Sequence, residues 1–214
     1  MVFVIEYLGP LLFHPLALAL RPYVLPHAAP LSNTQWLAGG MIMAHFAKRE
    51  LETLFVHKFS GATMPLWNVV RNSFFYWALI GLLSSIFLYL PGTWAAEAED
   101  LSPLNIVGTF LYAYGELSNL IVHLNLASLR QGNSTERKIP TGYGTSIVTC
   151  PNYMFEMVAW LGVILVSRSW TVVFFIFWGF LYMRSWAIGK ERSLRQQFGD
   201  RYKKKRYVMI PFLV

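Results

Sequence analysis

Phe74 to Leu90 reads FFYWALIGLLSSIFLYL, a run without a single charge and close to the roughly 20 residues needed to cross a bilayer. Trp170 to Met183 is a second such run, and it extends to about residue 188 if Arg184 reaches back toward the interface. Neither run has a polar face to offer water. That favours membrane helices over the alternative, a soluble domain with buried core helices.

Composition agrees. Of 214 residues, 55% are hydrophobic and only 14% charged. The segment Arg184 to Val214 holds nine Lys or Arg against Glu191 and Asp200 alone, which equals the whole formal charge of +7. The remaining residues are balanced, so the pattern is an apolar body ending in a water-facing basic tail suited to a phosphate-bearing ligand or an anionic membrane surface. The single Cys150 excludes an internal disulfide framework. The opening MVFVIEYLGP lacks the basic region of a signal peptide, and Glu6 within it argues for a retained helix or a shortened start.

Six crossings are expected, at about 4–20, 34–56, 72–90, 104–126, 153–167 and 170–188. The second is polarised by Lys48, Arg49, Glu50 and Glu52, and the fifth is shortened by Arg168. Pro22, Pro26 and Pro30 are expected to break the chain after the first helix, and Pro91-Gly92 to end the third. With six helices, the connections holding Lys58 and Arg71, then Arg130, Arg137 and Lys138, then the tail, share one side. Glu97, Glu99 and Asp100 lie on the other, so the positive-inside tendency places both termini in the cytosol. The fold class expected is an all-α polytopic bundle forming one domain, 1–214, with a basic cytosolic segment at 189–214.

Polar groups inside the apolar body are costly unless paired or facing a polar cavity. Glu6, Glu116, His123 and Glu156 are such groups. Glu116, Asn119 and His123, spaced by three and four, share one helix face with Asn125 farther round. Lining a cavity and tying helices together are both open to that stripe. His14 and His45 read as isolated interfacial or packing residues, and no His/Cys/Asp/Glu cluster has metal-site spacing.

The chemically suggestive stretch is TCPNYMFEMVAW, Thr149 to Trp160. Pro151 can open a helix, placing Asn152, Tyr153 and Glu156 in its first turns. A tyrosine hydroxyl is a useful donor to a carbonyl oxygen gaining negative charge, and Glu156, three residues on, is placed to orient it. The alternative is an aromatic-belt residue beside a helix start. The tail is expected to begin as a helix with Lys190, Arg192 and Arg195 and to break near Gly199, and KKKR at 203–206 has the same two sides: a lipid-facing surface, or, with Tyr202, Tyr207 and the apolar end, a segment folded back on the bundle. No nucleic-acid reading module is present. A Gly-rich dinucleotide loop is absent too, so a nicotinamide cofactor would bind without a Rossmann fold.

EYLGP at 6–10, LETLFVHKFSGATMPLWN at 51–68, RKIP at 137–140, CPNYMFE at 150–156 and the terminal GDRYKKKRYVMIPF together resemble the very-long-chain trans-2-enoyl-CoA reductases of the endoplasmic reticulum. The C-terminal part is similar to steroid 5-alpha reductases. The resemblance implies a multi-pass membrane enzyme that uses NADPH to reduce very-long-chain trans-2-enoyl-CoA in the last step of fatty-acid elongation. It also implies a product used in sphingolipid synthesis, and membrane lipids and elongation-complex members as partners. A ubiquitin-like domain usually precedes EYLGP in that family, and the 214 residues contain none. By position, the resemblance makes Tyr153 and Glu6 catalytic and puts Asn152 and Glu156 beside cofactor and substrate. Glu116, Asn119 and His123 fall in the substrate or polar-cavity region, and Lys190, Arg192 and Tyr202 join Asn152 at the cofactor mouth. Where the family often has His-Arg and then a tyrosine, this chain has Glu191-Arg192 and then Leu194, which favours Arg192 as ligand over position 191. Lys204 replaces a frequent proline. Steroid or polyprenol reduction is the enzyme alternative, and an inactive membrane subunit of an elongation complex is the non-enzyme one.

Overall fold

The computed structural model describes residues 2–58, 65–100, 102–129 and 138–213. It is helical throughout, and among these residues the only strand-like pairing is one parallel bridge, Val148 to Tyr207. Arg130 and Arg137, residues 59–64 and thus parts of two of the quoted motifs lie outside the described residues.

Helix α1 (Val2–Val24) contains Pro10, Pro15 and Pro22. The expected break at Pro22 is therefore displaced, since the helix continues two residues past it. Packing by neighbouring helices lets a membrane helix tolerate the amide that proline lacks. Leu8, Leu12, Leu16 and Leu20, at four-residue spacing, all remain exposed on one face, the lipid-facing inverse of a soluble helix. Helix α2 (Asn33–Leu51) starts with a capping box: Gln35 N donates to Ser32 Oγ at 3.1 Å, and Ser32 N to Gln35 Oε1 at 3.0 Å. A π-helical turn, Glu52–Val56, prolongs it.

The stretch that opens the sequence argument lies in one continuous span, Leu66–Tyr89. It comprises α3 (Leu66–Phe74), a π-helical segment (Phe75–Leu83) and α4 (Ser84–Tyr89). His14 of α1 enters this wider coil, with Nε2 at 3.2 Å from Ile80 O and 3.1 Å from Ser84 Oγ, and Nδ1 at 3.0 Å from Tyr89 Oη. It is thus fully buried and bonded rather than interfacial.

Helix α5 (Pro103–Ser128) and helix α6 (Pro151–Ser167) form the closest pair in the bundle, and both begin with the proline that suits a first turn. Gly115 faces the backbone of Ala159, and Gly162 faces Gly108 and Tyr112, where a side chain would hold the helices apart. Arg168, at φ 48°, ends α6. Its guanidinium donates to Ser102 Oγ at 2.8 Å, fastening this end to the start of α5. Helix α7 (Trp170–Phe198) carries the crossing expected at 170–188 without a break into the helical start of the tail. Its 29 residues span about 44 Å at helical rise, more than the roughly 30 Å hydrocarbon core, so the polar last turns emerge. Gly199, at φ 52°, stops it.

Among the described residues, three helical stretches are long and apolar enough to cross a membrane: Phe3–Val24, Leu66–Tyr89 and Trp170–Arg201. Helix α6 is apolar but shorter, and α2 and α5 are diluted by polar residues that face each other inside the bundle. The protein is a multi-pass membrane protein with helices at all six expected positions.

A candidate active site at the basic end of the bundle

Alternation of helix direction brings the start of α1, the end of α2, the start of α3, the end of α5, the start of α6 and the end of α7 to one end. Contacts across the chain confirm this. Arg49 donates to Tyr7 Oη at 3.1 Å, Asn72 to Glu6 Oε1 at 3.2 Å, and Thr149 Oγ1 to Glu191 Oε2 at 2.5 Å. Lys58, Arg71, Lys138 and the basic tail share this end, while Glu97, Glu99 and Asp100 sit at the other.

A buried ion-pair network fills it. His45 lies between two carboxylates, with Nδ1 at 2.6 Å from Glu116 Oε1 and Nε2 at 3.2 Å from Glu156 Oε1. Lys48 reaches Glu116 Oε2 at 2.6 Å and donates to Asn119 Oδ1 at 2.8 Å. Arg49 reaches Glu52 Oε2 at 2.6 Å, and His123 Nδ1 lies 3.0 Å from the same oxygen. With His45 doubly protonated, His45, Lys48 and Arg49 balance Glu52, Glu116 and Glu156. Such internal neutrality is what a low-dielectric interior requires.

The network converges on the first turn of α6. Asn119 Nδ2 donates to Asn152 O at 2.9 Å and to Glu156 Oε2 at 3.1 Å, and Trp160 Nε1 donates to Glu156 Oε1 at 3.4 Å. Tyr153 stands on that turn, half-buried, with its ring centroid 6.5 Å from that of Trp186 of α7. Its hydroxyl has no hydrogen-bond partner among the described residues, which leaves the donor available. Glu6 is buried at the same end and bonds to Asn72, without a hydrogen bond to Tyr153.

The Glu116, Asn119 and His123 stripe does share one face, as its spacing predicts, and that face ties α5 to α2 and α6. The isolated reading of His45 is corrected, because its two partners lie on α5 and α6. One signal for it was available: His45, Lys48, Arg49 and Glu52 repeat the three-and-four spacing of the α5 stripe. Read as charges that weaken a crossing, they are the complementary half of the network.

The tail folds back on the bundle. Cys150 N donates to Val208 O at 2.9 Å and Thr149 N to Tyr207 O at 3.3 Å, and Met209 is fully buried. Tyr202 is buried, and its hydroxyl donates to Glu191 Oε2 at 2.6 Å. Burial, with Glu191 adding to it, pushes that phenol up to about 12. Burial likewise raises the Cys150 thiol to about 12. Glu191 is thus the anchor of the tail, a role the motif departure at this position did not suggest. Lys190 and Arg192 are exposed beside it.

The fold also gathers a set that spacing alone did not show. Glu52, His57 and His123 bring ligand-type atoms within 4.8 Å of one another. Arg49 already supplies positive charge there, 2.6 Å from Glu52 Oε2 and 3.2 Å from His123 Nδ1, so the set belongs to the ion-pair network.

Comparison with known proteins bears on this architecture. The family described as 3-oxo-5-alpha-steroid 4-dehydrogenase matches residues 62–214. Over its whole length the chain is 38% identical to the very-long-chain enoyl-CoA reductase of Dictyostelium discoideum, covering 70% of that protein. It is 39% identical, again over its whole length, to a Schizosaccharomyces pombe protein provisionally named enoyl reductase, covering 71% of it. A Caenorhabditis elegans protein provisionally named very-long-chain enoyl-CoA reductase is 32% identical over the whole chain, which covers 71% of it.

Proposed function

The chain belongs to the 3-oxo-5-alpha-steroid 4-dehydrogenase family of membrane-embedded oxidoreductases, and from that premise we propose that it reduces the 2,3-double bond of very-long-chain trans-2-enoyl-CoA with NADPH. The observation that carries this reading is the match of the whole chain to 70% of a protein named for enoyl-CoA reduction. The convergence of the buried network on the Tyr153 turn supports it. We place the reaction at the last step of fatty-acid elongation, in the endoplasmic reticulum membrane with both termini cytosolic.

When bound, NADPH supplies the hydride that goes to C3. The chain's residues do the rest. The Tyr153 hydroxyl donates to the thioester oxygen as hydride addition builds enolate charge there, the role in which a preorganised donor counts most. The enolate collapses to the saturated thioester as C2 takes up a proton drawn ultimately from water. Glu156, held by His45 and Asn119, keeps the turn beneath Tyr153 in place. Glu6 supplies a further buried acidic group at this end of the bundle. Asn152, Lys190, Arg192 and Tyr202 shape the cofactor mouth, with the exposed cations suited to phosphates. Glu191 Oε1, buried without a hydrogen-bond partner in the described structure, is an acceptor left for a ligand or water donor. The acyl chain lies among apolar helices, and the CoA phosphates face the basic tail.

The test is turnover by the purified chain in lipid nanodiscs with a very-long-chain trans-2-enoyl-CoA, NADPH and, side by side, steroid and polyprenol substrates. Saturated acyl-CoA as the principal product supports the reading. Preference for a steroid or polyprenol, or binding to elongation enzymes without any turnover, would replace it.

A further inference from the structure

Glu156 and Glu116 reach the same histidine from different helices, and they differ in what else neutralises them. Glu116 is also paired with Lys48 at 2.6 Å. For Glu156, the one cationic partner within ion-pair distance among the described residues is His45. Its other contacts, Asn119 and the Trp160 indole, are neutral donors. A carboxylate in a membrane interior needs such a charge partner.

The imidazole is well placed to be that partner. His45 is 3% exposed and wedged edge-on between Phe46 and Trp160, at centroid distances of 5.0 and 4.9 Å. The ring is therefore held by apolar packing, and each of its nitrogens points at a carboxylate oxygen. Only the doubly protonated form donates from both. Removing either N–H would leave a buried carboxylate short of its partner, a loss felt at the helix that carries it.

We propose that His45 is a positioning residue, an imidazolium wedge between α5 and α6 that holds Glu156 and so presents the Asn152–Tyr153 turn in its reactive geometry. This deepens the enoyl-CoA reductase reading and rests on it. His45 does not touch the reacting atoms in this account. It acts through Glu156, which sits one turn from Tyr153 on the same helix.

The experiment uses the full chain in nanodiscs and two readouts, turnover and hydrogen–deuterium exchange of backbone amides 151–157. His45→Phe keeps the ring packed against Phe46 and Trp160 but removes both donors. Expected are a fall in kcat on the order of 10²-fold, the scale of a small misplacement of a reacting group, a much smaller change in NADPH Kd, and faster exchange at 151–157. Adding Glu116→Gln to His45→Phe restores the charge balance of the network and releases Lys48 from Glu116, leaving a cation for the remaining carboxylates, and it should return part of both losses. A role confined to packing predicts the reverse: His45→Phe near wild type in both readouts, with no gain from Glu116→Gln. That result overturns the proposal. Should His45→Phe fail to accumulate in membranes, His45→Gln, with amide donors and no charge, decides by the same readouts. If the wild-type chain does not reduce enoyl-CoA, the function reading fails alone, and the exchange measurement still decides whether His45 orders the turn.

Discussion

The Tyr202 hydroxyl donates at 2.6 Å to the Oε2 atom of Glu191, the same oxygen that accepts from Thr149 Oγ1 at 2.5 Å. One buried carboxylate therefore joins the segment entering α6, the end of α7 and the tail. Glu191→Ala should release the tail, with a stability loss of roughly 1–3 kcal/mol, the range for stranding buried hydrogen-bonding groups. Trypsin cleavage at 203–206 should accelerate in that variant, and an unchanged cleavage rate would show that the tail is held by its other contacts. Because folding raises the Tyr202 phenol to about 12, from an ordinary value of about 10, the sign is fixed. The Tyr202 contribution is complete below the ordinary value and is lost as pH rises through the folded one.

Tyr153→Phe removes a hydroxyl that no described neighbour needs, so helix packing and NADPH affinity should persist. Turnover should fall roughly 10²-fold or more, the scale of losing one transition-state donor. Single-turnover kinetics on the folded variant checks this, and near-normal hydride transfer would remove Tyr153 from the reaction.

Glu6→Gln preserves an acceptor for Asn72 while deleting the charge. We expect turnover to collapse, whereas Asn72→Ala should cost less, because it spares the carboxyl group. Equal, small effects of the two substitutions would reduce Glu6 to a structural hydrogen bond.

Arg192→Ala should raise the NADPH Kd more than the NADH Kd, as expected if its exposed guanidinium meets the additional 2′-phosphate. Titrations of both nucleotides decide. Parallel weakening assigns Arg192 to the diphosphate instead, and no weakening removes it from the cofactor mouth.

Cys150 is the single cysteine and is buried beneath the folded-back tail. Since the thiolate is the reactive form, a thiol raised to about 12 should react slowly with maleimide at neutral pH. Glu191→Ala should speed labelling by exposing it. Rapid labelling of the wild-type chain would contradict the docked tail.

Much of the architecture was legible in local sequence. Phe74–Leu90 had to be a spanning helix because an unbroken apolar run has no other stable place for its surface. Arg168 and Gly199 marked real helix ends, and counting six helices put the basic connections on one side before any contact was known. The shared face of Glu116, Asn119 and His123 followed from helical period alone. What the chain could not disclose locally was partnership. His45 and Glu116 are 71 positions apart, and Glu191 meets Thr149 across 42. Apolar length and helical phase are properties of a segment, readable from neighbouring residues. Which charges neutralise one another across the bundle depends on which helix faces meet, and that is settled by the packing of the whole bundle, as when His45 of α2 meets Glu116 of α5 and Glu156 of α6.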